Sequence, residues 1–178
     1  MLRGNLQAPA LGAIAGLYVC VVPRKRLALG VNTTVVVVAL VVTALDAVTK
    51  AWARNALAAH SVHVGGAVWL RLQYNSGISF SINQSGPLVT TILTVVIAVV
   101  VVVVGLQAQP GLPAAGFGLL IGGGLANVID RVTAHPHQVT DFVAISSFPV
   151  FNLADVSITA AFIILMVAAL RGERLLSR

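Results

Sequence analysis

A bundle of four membrane-spanning helices carrying a small sheet on one side is the fold the sequence predicts, and three observations predict it. Of 178 residues, 58% are hydrophobic and only 9% are Asp, Glu, Lys or Arg, against about 25% charged in ordinary soluble domains. So short a chain cannot bury that much apolar surface in its own core, so lipid must cover much of it. Four apolar stretches stand out, each near the ~17–25 residues that cross hydrocarbon. A fifth segment alternates with the period of a strand. Short loops and one modest extramembrane element use up the remaining length, and no second domain fits.

The predicted spans are Val31 to Ala47, Leu88 to Gly105, Leu112 to Ile129 and Leu153 to Leu170. Val35 to Val38 and Val99 to Val104 are β-branched and would suit strands in water. In lipid a lone open strand leaves its backbone unpaired, so helices win, and the lack of alternation excludes barrel strands. Ala8 to Val22 is apolar too, but it is short for a span and is closed by Pro23-Arg24-Lys25-Arg26. Residues 1–30 are therefore read as an N-terminal extension, cytoplasmic or peripheral, residues 31–171 as the membrane domain, and residues 172–178 as a basic cytoplasmic tail.

Orientation follows from Lys and Arg near the span ends. Arg3, Arg24, Lys25 and Arg26 precede the first helix and Arg171, Arg174 and Arg178 follow the fourth, while Lys50, Arg54, Arg71 and Arg131 occupy the alternate loops. Both termini are expected in the cytoplasm. The outer loops are then residues 48–87 and 130–152. Pro110 and Gly111 mark a tight inner connection that makes helices two and three an antiparallel hairpin. In the first outer loop Val68, Leu70, Leu72 and Tyr74 alternate with Trp69, Arg71 and Gln73, a half-buried strand. Asn75-Ser76-Gly77 ends it as a turn, and Ile78 to Ile82 is expected to return as a second strand.

Several function classes drop out. The net charge of +6 sits beside apolar segments with no interleaved aromatics, which reads as topology signal and not as a nucleic-acid surface. Cys20 is the single cysteine, so there is no disulfide framework and no zinc spacing. Val19 stands where a lipid-modified cysteine would need a small neighbour. His60, His63, His135 and His137 fall in the outer loops without an HExxH pattern, and no GxGxxG or phosphate loop occurs. No metal or organic cofactor is expected. Gly122 to Gly124 suit close helix packing in lipid.

Only five acids occur, and Asp46, Asp130, Asp141 and Asp155 all map to outer helix ends or to the loop joining helices three and four. A carboxylate at a membrane boundary is costly to ionise, so it usually faces a bundle interior or wet cavity and marks function or an ion pair. Asp130 ends helix three and Asp155 opens helix four, which places both at one depth. Two such carboxyls cannot both ionise easily. One holds a proton while its partner acts as base, the arrangement of aspartic proteases. Spacing alone favours plainer roles: Asn152 capping helix four with Asp155 at its third position, and Asp130 paired with Arg131. Asp46 and Lys50 are four apart, the spacing of an intrahelical ion pair. A Ser/Lys hydrolase would also want such a lysine, but no serine carries an elbow motif.

The pattern Asn127-Val128-Ile129-Asp130-Arg131 after the three glycines, then Asp141-Phe142, then Phe151-Asn152-Leu153-Ala154-Asp155, resembles the signature of the lipoprotein signal peptidase (signal peptidase II) family. Leu45-Asp46-Ala47-Val48-Thr49-Lys50 and Asn75-Ser76-Gly77-Ile78-Ser79-Phe80-Ser81 resemble two further blocks of that family, although Ser79 stands where Ala is commoner. The resemblance implies four helices with cytoplasmic termini, an outer β-cradle and an aspartate pair, here Asp130 and Asp155, near the outer surface of a bacterial cell membrane. It implies that Asn127, Arg131, Asn152 and Ala154 surround the pair and that Asp46, Lys50, Asn75 and Gly77 shape or support the substrate site. The implied activity is removal of signal peptides from diacylglyceryl-modified prolipoproteins by cutting before the lipidated cysteine. Partners are those substrates and membrane lipid. The rival reading is a small ion- or proton-coupled carrier, but these acids lie at one boundary, not the midplane, and no repeat halves are evident.

Overall fold

The four expected helices form, and a three-stranded antiparallel sheet joins them at one end. The computed structural model describes residues 32–77, 87–134 and 137–177. Along the chain these give α1 (Thr33–Ala56), β1 (Val62–Gly65), β2 (Val68–Asn75), α2 (Pro87–Gly105), α3 (Leu112–Thr133), β3 (Val139–Ile145) and α4 (Leu153–Leu170). Each helix is long and apolar enough to cross a membrane. The N-terminal extension and the expected return strand at Ile78 to Ile82 lie outside the described residues.

Asn32 caps α1 by accepting the Thr34 N–H at 3.0 Å. α1 then continues past the expected end at Ala47 to Ala56. Hydropathy falls there because of Lys50 and Arg54, but Ala51, Ala53 and Ala56 keep helix propensity high and no Gly or Pro intervenes. Lys50 and Arg54 are therefore helical and not in a loop. α3 likewise continues through Arg131 to Thr133.

α3 is the central helix, packed most extensively against α4 and α1 and less against α2. Its glycines make this approach possible. A Cβ on Gly122 would lie 2.8 Å from the Ala39 carbonyl oxygen of α1, and one on Gly123 would lie 2.6 Å from the Ala154 carbonyl oxygen of α4. With little hydrophobic drive between helices in lipid, such backbone approach and interhelical hydrogen bonds hold the bundle together. Thr43 Oγ1 supplies one, donating to the Gly122 carbonyl at 3.1 Å. α2 fully buries only Thr90, Thr91 and Gly105; Val101, Val102 and Val104 pack partly against the core, while Val89, Val96, Val99, Val100 and Val103 face outward.

The strands run in the order β1-β2-β3. β2 forms where the alternation predicts, with Leu70 and Leu72 packed toward a cluster of Ala53, Leu57 and Phe142, but a register shift between Leu70 and Gln73 breaks the alternation and leaves Tyr74 exposed. β1 arises before β2, across a turn at Gly66, whose φ of 55° suits glycine. β3 was not expected, because nearly all its residues are buried and no alternation shows. After β3 the chain folds back on itself: Phe151 N–H donates to Val143 O at 3.0 Å and its carbonyl accepts from Val143 N–H at 2.9 Å. That return carries Asn152 and the start of α4 alongside β3.

At the opposite end, the residues after α4 dock on the α2–α3 connection. Gln109 N–H donates to Leu175 O at 3.0 Å and Ser177 N–H to Gln107 O at 2.7 Å. Leu175 also packs on the core formed by Val35, Ala39, Phe117 and Ile121.

Candidate active site

The ends of α1, α3 and β3 and the start of α4 converge on a network of carboxyls and amides. Its centre is Asn152, fully buried. Asn152 Oδ1 accepts the Asp155 N–H at 3.0 Å while Asp155 Oδ2 accepts the Asn152 N–H at 3.2 Å, a reciprocal capping box that opens α4. The expected cap is therefore present. Because Oδ1 is committed to a backbone N–H, the amide nitrogen must donate on its other side. It does so to Asp141 Oδ1 at 2.6 Å and to Asn127 Oδ1 at 3.3 Å.

The Asp155 and Asp141 carboxyls are thus held by one residue, the first by its backbone N–H and the second by its side-chain amide. Asn127 Nδ2 adds a bond to Asp155 Oδ1 at 3.1 Å, and Asn75 Nδ2 adds one to Asp141 Oδ2 at 3.1 Å. Asn75 is oriented in turn by the Gly77 N–H, which donates to its Oδ1 at 2.9 Å. Burial pushes the Asp141 carboxyl up to about 6, and the charge of Asp155 pushes the same way; hydrogen bonds from Asn75 and Asn152 and the charge of Lys50 oppose.

Both carboxyls line a cavity of about 680 Å³. Asn75, Gly77, Asn127 and Arg131 share its polar end, and Thr94, Phe148, Ile158 and Ile163 are among the residues that extend it. Arg131, 5% exposed, donates from one terminal nitrogen to the Gly77 carbonyl at 2.6 Å, while its Nε and other terminal nitrogen are buried without a hydrogen-bond partner among the described residues.

Asp130, which the sequence pairs with Asp155, has other neighbours and is not among the residues lining that cavity. Its Oδ2 accepts the Thr140 N–H at 2.9 Å and lies 3.3 Å from Lys50 Nζ, and its Oδ1 lies 3.5 Å from Arg54. It faces α1 and the start of β3, so the ion pair suggested with Arg131 is replaced by these cations. The carboxyl that shares Asn152 with Asp155 is Asp141. The Asp141-Phe142 block was visible in the sequence, but only a strand running back beside α4 brings it to Asn152.

Asp46 and Lys50 form the expected pair, 2.6 Å apart and both 1% exposed. They do more than pair. Asp46 Oδ1 accepts the Ala154 N–H at 2.8 Å, and Lys50 Nζ donates to Asn127 Oδ1 at 2.9 Å. Ala154 enters the site through this backbone N–H. Among the described residues, no three His, Cys, Asp or Glu side chains gather as a metal site would require.

Comparison with known proteins gives a consistent family. Residues 38–171 match the family model described as signal peptidase (SPase) II. The chain is 35% identical over 147 residues to the lipoprotein signal peptidase of Rhodococcus jostii (strain RHA1), covering 76% of this chain and 72% of that protein. It is 33% identical over 156 residues to the lipoprotein signal peptidase of Mycobacterium leprae (strain Br4923), covering 84% and 75%. A solved structure described as a bacterial membrane enzyme, determined by the in meso method at 2.3 Å, superposes with a TM-score of 0.69 at 28% identity, covering 78% of this chain and 88% of that one. With this match over most of its length, on a four-helix membrane fold, the chain belongs to the signal peptidase II family.

Proposed function

We propose that the protein is an aspartic endopeptidase that removes signal peptides from diacylglyceryl-modified prolipoproteins, with Asp141 and Asp155 as the reacting pair. The observation that carries this reading is the shared clamp. Two carboxyls from separate elements are fixed by one buried residue, Asn152, whose side-chain amide donates to Asp141 and whose backbone N–H donates to Asp155, at the wall of a cavity large enough for a peptide segment. Family membership supplies the substrate class.

In this mechanism Asp155 is the base. Both its oxygens accept N–H groups, and it sits in the first turn of α4, where the helix dipole favours negative charge. Asp141, raised to about 6 and facing Asp155, is the partner that holds a proton. Water placed between them loses a proton to Asp155 as its oxygen attacks the peptide carbonyl. Asp141 gives its proton to the developing oxyanion; the C–N bond then breaks as the proton held by Asp155 passes to the leaving amine and a hydroxyl proton of the intermediate returns to Asp141. Asp130 is assigned to scaffolding, and Asn75, Gly77, Asn127, Arg131, Asn152 and Ala154 to shaping the site around the pair. Asp46 and Lys50 support it from α1.

The cavity continues along α4 past Val156, Thr159, Ala160 and Ile163. A largely apolar wall suits a signal peptide that is itself a membrane helix. Lipid chains on the substrate cysteine hold the scissile bond at the interface, and the cut falls before that cysteine. We place both termini in the cytoplasm and the sheet at the outer face, a topology supported by seven Lys and Arg near the inner span ends against four on the opposite side, at the outer helix ends and in β2. Intact-mass analysis of products from purified protein tests the reading. A single cut before the cysteine in lipid-modified prolipoprotein, with unmodified precursor left intact, is expected; equal cleavage of both, or a cut elsewhere, overturns it.

A further inference from the structure

Asn127 is flanked by two groups that can only donate to it. Lys50 Nζ, 2.9 Å from Asn127 Oδ1, has no acceptor capacity. Asn152 Nδ2, 3.3 Å from the same oxygen, belongs to an amide whose orientation is set by the Asp155 N–H. Asn127 Oδ1 must therefore accept, which leaves Nδ2 to face Asp155 Oδ1 at 3.1 Å. Of the two donors, Lys50 makes the shorter contact, because Asn152 commits its 2.6 Å bond to Asp141.

Lys50 is itself tightly seated. It is 1% exposed, 2.6 Å from Asp46 Oδ2 and 3.3 Å from Asp130 Oδ2. Asp46 Oδ1 reaches across to the N–H of Ala154, the residue before Asp155. α1 therefore grips the reacting carboxyl twice, once through the backbone of α4 and once through Asn127.

We infer that Lys50 is a positioning residue for the hydrolysis, locking the Asn127 amide so that an N–H and not a carbonyl oxygen meets Asp155. This inference rests on the reading of Asp141 and Asp155 as the reacting pair. A reversed amide would press its oxygen against the carboxylate, two acceptors in contact, and would turn Asp155 away from the water it must deprotonate. The charged groups around Asp155 are Asp141 on β3, Arg131 on α3, and Lys50 with Asp46, Arg54 and Asp130 behind Asn127. Arg131 interacts electrostatically with Asp130, Asp141 and Asp155 alike, so a substitution at Lys50 leaves that contribution in place.

The test compares Lys50→Met, Lys50→Gln, Asn127→Ala and Asn127→Ala/Lys50→Met, reading kcat and KM on lipid-modified prolipoprotein across pH, with thermal unfolding in detergent. Lys50→Met is expected to lower kcat by about 10²-fold, the scale of a misplaced reacting group, with KM little changed. The pH profile of kcat should move as well, because a reversed Asn127 amide replaces a donor with an acceptor beside the reacting pair. Lys50→Gln, whose amide can donate to Asn127 Oδ1, should recover part of both. In the Asn127→Ala background the Lys50 substitution should add nothing further.

Should Lys50→Met not fold, Asp46→Asn/Lys50→Met is scored in the same way. It leaves no unpaired buried charge from that pair and keeps an oxygen for the Ala154 N–H. Losses that add fully across Asn127→Ala, or folded variants with an unmoved pH profile, overturn the inference. Wild-type cleavage rates in Asp141→Asn or Asp155→Asn would instead overturn the reading of the reacting pair. If those two are inactive while the Lys50 and Asn127 losses add, the Lys50 inference alone fails.

Discussion

Asp141 is where chemistry and stability meet. Its carboxyl is raised from an ordinary 3.8 to about 6, chiefly by burial. A raised folded-state value means the native protein holds that proton more tightly than the unfolded chain. The associated stabilisation is therefore complete below pH 4 and is lost as pH rises through 6. Thermal unfolding in detergent should show Tm falling between pH 5 and 8 more steeply in wild type than in Asp141→Asn; parallel slopes would contradict this. In the proposed mechanism the same group is the proton donor, so kcat/KM should decline on the alkaline side in a limb that starts near 6 in the free enzyme. Asp130, tied to Lys50, Arg54 and the Thr140 N–H, has the scaffolding role in the proposed assignment. Sequence order hid this difference: Asp130 and Asp155 are at adjacent helix ends, and the depth argument that pairs them is sound for helices alone. It leaves out β3, buried on both faces and so without alternation, which brings a third carboxyl to Asn152 at the start of α4.

At the scale of elements, the bundle depends on glycines that let α3 approach two partners at once. Gly123→Ala would set a methyl group 2.6 Å from the Ala154 carbonyl oxygen, a contact that neither backbone can relieve without moving the first turn of α4. The expected cost is about 1–3 kcal/mol of stability, the usual range for overpacking. Cleavage should fall as well, because Asp155 rides on that turn. Gly124, where a Cβ would meet nothing within 4 Å, supplies the control: Gly124→Ala should leave both unfolding temperature and cleavage close to wild type. Equal behaviour of the two variants would remove the packing argument. The helices were legible from hydropathy and β2 from its alternation. The ends of α1 and α3 were not, because hydropathy drops at Lys50, Arg54 and Arg131 while the helix continues, their charges being met by Asp46, Asp130 and the Gly77 carbonyl.

For the whole molecule, the two ends of the bundle have different jobs. One end carries the sheet, the amide network and the cavity; the other is closed by the segment after α4 against the α2–α3 connection. If the sheet end faces outward, a Cys20→Ser protein carrying Gly66→Cys should react with an impermeant thiol reagent added outside intact cells. One carrying Gln109→Cys should react only after permeabilisation. The reverse pattern would invert the proposed topology and move the site to the cytoplasmic face.

The central claim is that Asp141 and Asp155 activate the water while Asp130 supports them. Cleavage of a lipid-modified prolipoprotein by purified wild type and by folded Asp130→Asn, Asp141→Asn and Asp155→Asn tests it most directly. The account predicts losses of at least about 10²-fold for Asp141→Asn and Asp155→Asn, the lower end expected for removing an acid or base, with measurable turnover retained by Asp130→Asn. An inactive Asp130→Asn beside an active Asp141→Asn would contradict it.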